Sequence, residues 1–193
     1  MKRRILAILL LAACLMTLLP ATAMAVPETE TRSKGGKLIA LTFDDGPGPY
    51  TRRLLEGLAK RGVKATFFML GQQAENYDVT AGLVRDAGHQ IASHTYDHPQ
   101  LSKKTDSQVR WQISHTADIL NRITGYGTHY LVRPPYGDYN DQLVETAEEL
   151  GLYTIQWDVD SLDWKNLSAK EIYNRVVPKV QNGSIVLFHN NGR

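Results

Sequence analysis

The chain is short of cysteine: Cys14 is the single one in 193 residues. That excludes an internal disulfide and any cysteine-based metal cluster. It is also short of net charge. The formal value is +2, and because Lys2, Arg3 and Arg4 contribute +3 of it, the rest of the chain stands at −1. A near-neutral body gives a nucleic-acid backbone or an anionic membrane surface nothing to hold. No glycine-rich phosphate loop is present, which argues against phosphoryl transfer as the use of its acids. No apolar run reaches the roughly 20 residues of a membrane-spanning helix. What remains is ordinary: 42% hydrophobic and 22% charged residues, with three Trp, nine Tyr and four Phe. That is enough to bury the core of one domain and too much for a disordered chain.

The amino terminus reads as an address. Lys2-Arg3-Arg4 precedes an apolar stretch from Ile5 to Leu19, then Pro20 and the small residues Ala21-Thr22-Ala23-Met24-Ala25. A basic start, a short apolar centre and an A-x-A end make a secretory signal cut after Ala25. Two readings compete. A membrane anchor would need a longer run, and Leu11-Ala12-Ala13-Cys14 resembles a lipoprotein box. The apolar residues continue after Cys14, where a lipidated chain would turn polar, so lipidation is not favoured. Residues 26–36 are polar and read as a linker, leaving residues 37–193 as the folded domain. The expected product is secreted or wall-associated, with no stable membrane span once the signal is removed.

Beyond Lys37, strand and helix patterns alternate. Six strands are expected: Leu38 to Phe43, Val63 to Leu70, His89 to Ser93, around Tyr130 to Val132, Tyr153 to Trp157, and Ser184 to Phe188. Helical periodicity falls between them, from Tyr50 to Lys60, Val79 to Ala87, Asp106 to Thr124, Asn140 to Leu150 and Ser168 to Val180. Ser168 and Glu171 have the spacing of a capping box. Such alternation gives an α/β fold with a parallel sheet, closed as a barrel or open and doubly wound. In both forms ligands sit beyond the carboxyl ends of the strands. The first strand ends in Asp44-Asp45-Gly46, the third in His94 to His98, the fourth in Arg133-Pro134-Pro135-Tyr136. The fifth ends in Asp158, Asp160, Asp163 and Trp164, the sixth in His189. One rim thus collects the side chains that do hydrolytic chemistry. His89 and His129 fall at strand starts and His115 inside a helix, and all three read as structural or solvated.

Each rim feature has a plainer reading. His94 and His98, four apart, suit one side of a helical turn and one metal ion, yet such a pair alone is most often coincidence. Asp44-Asp45 qualifies as a source of a carboxylate ligand, and adjacent strand residues facing opposite ways would do different jobs. Asp-Asp-Gly-Pro is equally good turn chemistry. Arg133, stiffened by two prolines, suits a fixed hydrogen bond to a carboxylate, or is a surface cation. Asp163 and His189 suit an acid that orients an imidazole, while a histidine after an apolar strand is commonly structural. Tyr136, Trp157 and Trp164 suit stacking on sugar rings, or the core.

Taken in order, Thr42-Phe43-Asp44-Asp45-Gly46, His94-x-x-x-His98, Arg133-Pro134-Pro135-Tyr136, Asp160-Ser161-Leu162-Asp163-Trp164 and Leu187-Phe188-His189 resemble the five motifs of the polysaccharide deacetylases. This is the NodB-homology group, carbohydrate esterase family 4. The match runs from Lys37 to His189. The resemblance implies a distorted (β/α) barrel and a metal-dependent hydrolase that removes N-acetyl groups from amino-sugar polymers. Peptidoglycan N-acetylglucosamine or chitin oligomers are the implied N-acetylated polysaccharide substrates. It implies Asp45, His94 and His98 as ligands of a divalent metal, usually zinc, with cobalt or another divalent ion as substitutes. Asp44 would be the general base and Arg133 its partner, and the Tyr136 backbone N–H would help hold the oxyanion. His189 would be the general acid oriented by Asp163, and Trp164 and Leu187 would line the acetyl pocket. The family pattern continues with a further helix and strand beyond the last motif, so either the sequence is cut short or the barrel is left open on one side, and this form is expected to be less stable than one with the tail restored. The same motifs also admit an O-acetyl esterase acting on xylan. A catalytically silent carbohydrate-binding module would lack a ligand or the base, and none is missing.

Overall fold

The computed structural model describes residues 37–125 and 130–190. The expected signal, Cys14, the linker and His129 lie outside the described residues. Seven parallel strands form one sheet: β1 (Ala40–Gly46), β2 (Thr66–Met69), β3 (Gln90–Ser93), β4 (Leu131–Val132), β5 (Tyr153–Thr154), β6 (Val159–Asp160) and β7 (Ile185–His189). Their spatial order is β5-β4-β3-β2-β1-β7-β6. The helices are α1 (Thr51–Ala59), α2 (Gly71–Asn76), α3 (Asp78–Asp86), α4 (Asp106–Thr124), α5 (Asp141–Glu149) and α6 (Ala169–Val176). Among the described residues no helix is long and apolar enough to cross a membrane.

The sheet is curled, and chain length shows why. β5 and β6 lie at opposite edges of the sheet, yet only residues 155–158 join them. Edge strands of a flat seven-stranded sheet would stand about 29 Å apart at the usual inter-strand spacing. Five extended peptide steps reach about 17 Å. The edges must therefore bend toward each other, which gives the distorted half-barrel expected of the sequence.

Alternation along the strands separates two interiors. Phe43 on β1 is in register with Phe67 on β2 and Phe188 on β7, and the rings stack with centroids 5.4 and 5.5 Å apart. This ridge faces outward and packs with Ile91 against Leu55 and Leu58 of α1, Ala81 and Val84 of α3, and Ile119 and Leu120 of α4. The intervening residues Thr42 and Asp44, with their register partners Leu187, His189 and Phe68, face the hollow of the curl. One periodicity thus builds the core and aims the chemistry.

The helix ends follow local rules. Ser168 Oγ accepts the Glu171 N–H at 3.3 Å, and Glu171 Oε2 accepts the Ser168 N–H at 2.8 Å, closing the expected capping box. Thr105 and Gln108 close a second one at the head of α4, which the sequence reading passed over. Two elements differ from expectation. The single fifth strand is instead two: β5 is only Tyr153–Thr154, and β6 pairs with β7 at the far edge. The six-residue helix α2 was not expected, because Gly71 reads as a strand stop and only Gly71 and Ala74 of it are buried. Phe43→Ala removes the centre of the aromatic ridge and is expected to cost about 3–5 kcal/mol of stability, measured by urea unfolding.

Candidate metal and catalytic centre

The carboxyl ends of β1 and β3 supply three converging donors. Asp45 Oδ1 lies 3.4 Å from His94 Nε2 and 3.3 Å from His98 Nε2, and the three donor atoms lie within 4.8 Å of one another. The backbone does not follow the simple expectations. His94 and His98 do not share a helical turn; they flank a loop in which Thr95 (φ 70°) and His98 (φ 64°) are left-handed. Asp44 and Asp45 do not diverge either. A register shift lies between Asp44 and Gly46, and Asp45 takes φ 70°. This turn brings both carboxylates to His94, with Asp44 Oδ2 3.7 Å from its Nε2.

Tautomer and charge suit metal binding. His94 Nδ1 lies 2.7 Å from the Arg133 carbonyl, which only accepts, so Nδ1 carries a proton and Nε2 is the ring nitrogen left to face Asp45 or an ion. Burial pushes Asp45 up, but the hydrogen bond and charge of His94, with His98 and His189, outweigh it and hold the carboxyl below its usual range. Burial and the His94 charge push His98 down, toward the neutral ligand form. The two distances from Asp45 Oδ1 fit as well. Ligand atoms about 2.0–2.2 Å from a tetrahedral zinc stand about 3.3–3.5 Å apart.

Arg133 is fully buried, at 0% exposure. Its Nη1 donates to Asp44 Oδ1 at 2.7 Å and to Thr42 Oγ1 at 2.8 Å, and its Nη2 donates to the Gln156 carbonyl at 3.2 Å. The guanidinium lies flat on Phe68, 3.9 Å from the ring centroid. Burial of Asp44 pushes its carboxyl above the usual range, against the pull of His94 and Arg133. With Oδ1 engaged, Oδ2 is the oxygen turned toward His94 Nε2, 3.7 Å away.

His189 ends β7 beside Asp44, its register partner. Asp163 grips it twice, accepting the backbone N–H at 2.8 Å and Nδ1–H at 2.7 Å. Burial pushes His189 down, but the bond and charge of Asp163, then Asp45 and Asp44, outweigh it and raise the imidazole. Tyr136 is left-handed at φ 62°, 68% exposed, with its ring edge-on to His98 at 4.6 Å. Leu187 is buried two residues before His189 and shares its face of β7, while Trp164, 49% exposed, follows Asp163 directly. Trp157 is half-buried, 5.5 Å from the Arg133 guanidinium, so it is part of the floor.

Some residues fall elsewhere. His89 is structural as expected: its Nδ1 accepts the Ala65 N–H at 3.1 Å and its ring meets Phe67. His115 stacks on Trp111 along α4. Asp158, expected at the active rim, lies at the opposite end, where it accepts from Ser184 Oγ and the Ile185 N–H at the start of β7. The break between β5 and β6 is the reason. Thr42, Phe68 and Gln156, which seat Arg133, were not anticipated; the inward alternation Thr42–Asp44 was the only available hint. His94→Ala should abolish stoichiometric metal binding while His115→Ala retains it, read by metal analysis after dialysis. Asp163→Asn removes the main interaction raising His189. Activity that needs the protonated imidazole is lost as pH rises through its pKa, so this variant's alkaline limb should move to lower pH in a kcat/KM profile.

Comparison with known proteins bears on the family and the fold. Residues 31–155 match the model of the family described as polysaccharide deacetylase. A peptidoglycan-N-acetylglucosamine deacetylase of Bacillus cereus is 42% identical over 152 residues, covering 78% of this chain and 55% of that protein. A chitooligosaccharide deacetylase of Azorhizobium caulinodans is 35% identical over 78% of this chain and 72% of its own. The crystal structure of the Bc1960 peptidoglycan N-acetylglucosamine deacetylase superimposes with TM-score 0.77 at 41% identity, covering 79% of this chain and 72% of that one. The chain spans 55% of the first curated relative and 35% of the next two. With a family match over more than half its length, and with the α/β half-barrel that the solved relative shares, this chain belongs to the polysaccharide deacetylase family.

Proposed function

We propose that this chain is an exported, metal-dependent deacetylase that hydrolyses the N-acetyl groups of cell-wall amino sugars, with peptidoglycan N-acetylglucosamine as first substrate and chitin oligomers as second. The observation that carries this reading is the convergence of Asp45, His94 and His98 next to the Arg133-held carboxylate of Asp44 and the carboxylate-held imidazole of its neighbour His189. The names of the relatives at 42% and 35% identity support the substrate class. The basic, apolar and A-x-A segment at the start of the sequence supports export.

A divalent ion, zinc first, held by Asp45 Oδ1, His94 Nε2 and His98 Nε2 would polarise the amide carbonyl and acidify water. The residues of the chain do the rest. Asp44 Oδ2 takes the proton as water adds to the carbonyl carbon, and its raised pKa makes it a better base. Arg133 keeps Oδ1 occupied, so the proton has one destination. The Tyr136 backbone N–H is assigned to the oxyanion; donors of this kind are worth about 2.7–4 kcal/mol in other hydrolases. His189 Nε2 then gives its proton to the nitrogen as the C–N bond breaks, releasing acetate and a free amine. Asp163 holds the imidazolium in place for that transfer. Trp164 and Leu187 are assigned to the acetyl methyl.

Acetate release from acetylated chitooligosaccharide and peptidoglycan tests the reading, with acetylxylan in parallel. Release from the first two, abolished by a chelator, is the expected result. Asp44→Asn should lower kcat by about 10²–10⁴-fold, the usual worth of a positioned base. Release from acetylxylan alone would make the protein an esterase, and glycan binding without acetate would make it a silent module.

A further inference from the structure

The loop between the two histidine ligands belongs to no helix or strand. Thr95 and His98 both hold left-handed backbone without being glycine, a conformation that persists only when its surroundings impose it. The surroundings grip the loop from two sides. On the carbonyl side the first two amides of α2 reach it: Gly71 N–H donates to Thr95 O at 2.9 Å and Gln72 N–H to Tyr96 O at 3.0 Å.

On the amide side, Ser93 Oγ accepts the Thr95 N–H at 3.4 Å, and one side chain takes the next two. Gln112, in the middle of α4, is 6% exposed. Its Oε1 accepts the Tyr96 N–H at 2.8 Å and the Asp97 N–H at 3.4 Å. Its Nε2 donates to Asp97 Oδ1 at 2.7 Å. Asp97 as a carboxylate only accepts, which fixes the orientation of the amide and turns the carbonyl to the two N–H groups. No apolar side chain of similar length offers both halves. The two residues it grips are the last two of the three between His94 and His98, so a rotation of either peptide would carry His98 away from Asp45.

We propose that Gln112 is a positioning residue of the metal centre: through Tyr96 and Asp97 it holds His98 Nε2 at its 3.3 Å approach to Asp45 Oδ1 without touching the ion. The proposal rests on Asp45, His94 and His98 being ligands. A glutamine that merely stabilises the α4 packing would change melting temperature and leave metal affinity alone. Partners standing behind metal ligands are typically worth about 10–100-fold in affinity.

The test measures zinc dissociation constants of folded protein by competition with a chromophoric chelator, with the cobalt absorption spectrum as a report on ligand geometry. Gln112→Met keeps the length and loses both hydrogen-bonding halves; it should weaken zinc by about 10–100-fold and alter the cobalt bands. The double variant Gln112→Glu with Asp97→Asn exchanges donor and acceptor at unchanged net charge and should restore affinity to within a few-fold of the parent. Ile119→Val, which trims the buried side of the same helix, should leave affinity unchanged. The clamp is overturned if Gln112→Met binds zinc as the parent does, or if the exchanged pair binds as weakly as a protein without the clamp. Should Gln112→Met not fold, the exchanged pair decides by the same criterion. A parent that takes up no zinc overturns the ligand reading itself, and the clamp with it.

Discussion

The buried ion pair of Arg133 and Asp44 is the contact on which the centre depends. A guanidinium taken wholly from water is costly unless its donors are met, and one left without its carboxylate would be strongly destabilising. Here the guanidinium touches nearly every part that matters. It binds the Asp44 carboxylate, the Thr42 hydroxyl one turn of the pleat below, the carbonyl of Gln156 in the link between the edge strands, and the face of Phe68. Its own backbone carbonyl fixes the tautomer of His94. The Asp44 carboxylate, the His94 ring and the sheet seam therefore share one residue, and none can shift without disturbing the others.

The rim is held in a conformation that the chain would not choose locally. Asp45, Thr95, His98 and Tyr136 are all left-handed and none is glycine, each at a cost of about 1–3 kcal/mol. All four lie in the segments that supply the metal ligands or flank them. The fold sets that cost against the stacked phenylalanines and the helix packing beneath the sheet. What is gained is order: donor atoms already at metal-ligand spacing need little rearrangement to take up an ion.

Much of this was legible from residue order, and the limits have physical causes. The parallel-strand rule placed Asp44, Asp45, His94, Arg133, Asp163 and His189 on one rim because each follows an apolar run, and that is where they lie. Strand endings carry that information well. Backbone handedness carries it poorly: nothing about Asp45 or His98 as residue types announces a positive φ, so the two acids were expected on opposite faces and the histidines on a helical turn. The division of the fifth strand was hidden because two-residue strands leave no periodicity to read. Asp158 was misplaced by that division alone. The supports of Arg133 were hidden for another reason: Thr42 and Phe68 satisfy an ordinary strand pattern, and their second role exists only in three dimensions.

The four-residue link between β5 and β6 has a consequence for variation in this molecule. Connections at the mouth of a barrel usually tolerate insertion, since they project into solvent and bear little tension. This one is only four residues long, and its Gln156 carbonyl is tied to the guanidinium that holds Asp44. Added residues here would slacken the girdle of the half-barrel and withdraw an acceptor from Arg133 in the same stroke. Insertions are thus better tolerated in the loops that stay on the rim than in this segment, which runs from the rim end of β5 to the opposite end of the sheet at Asp158.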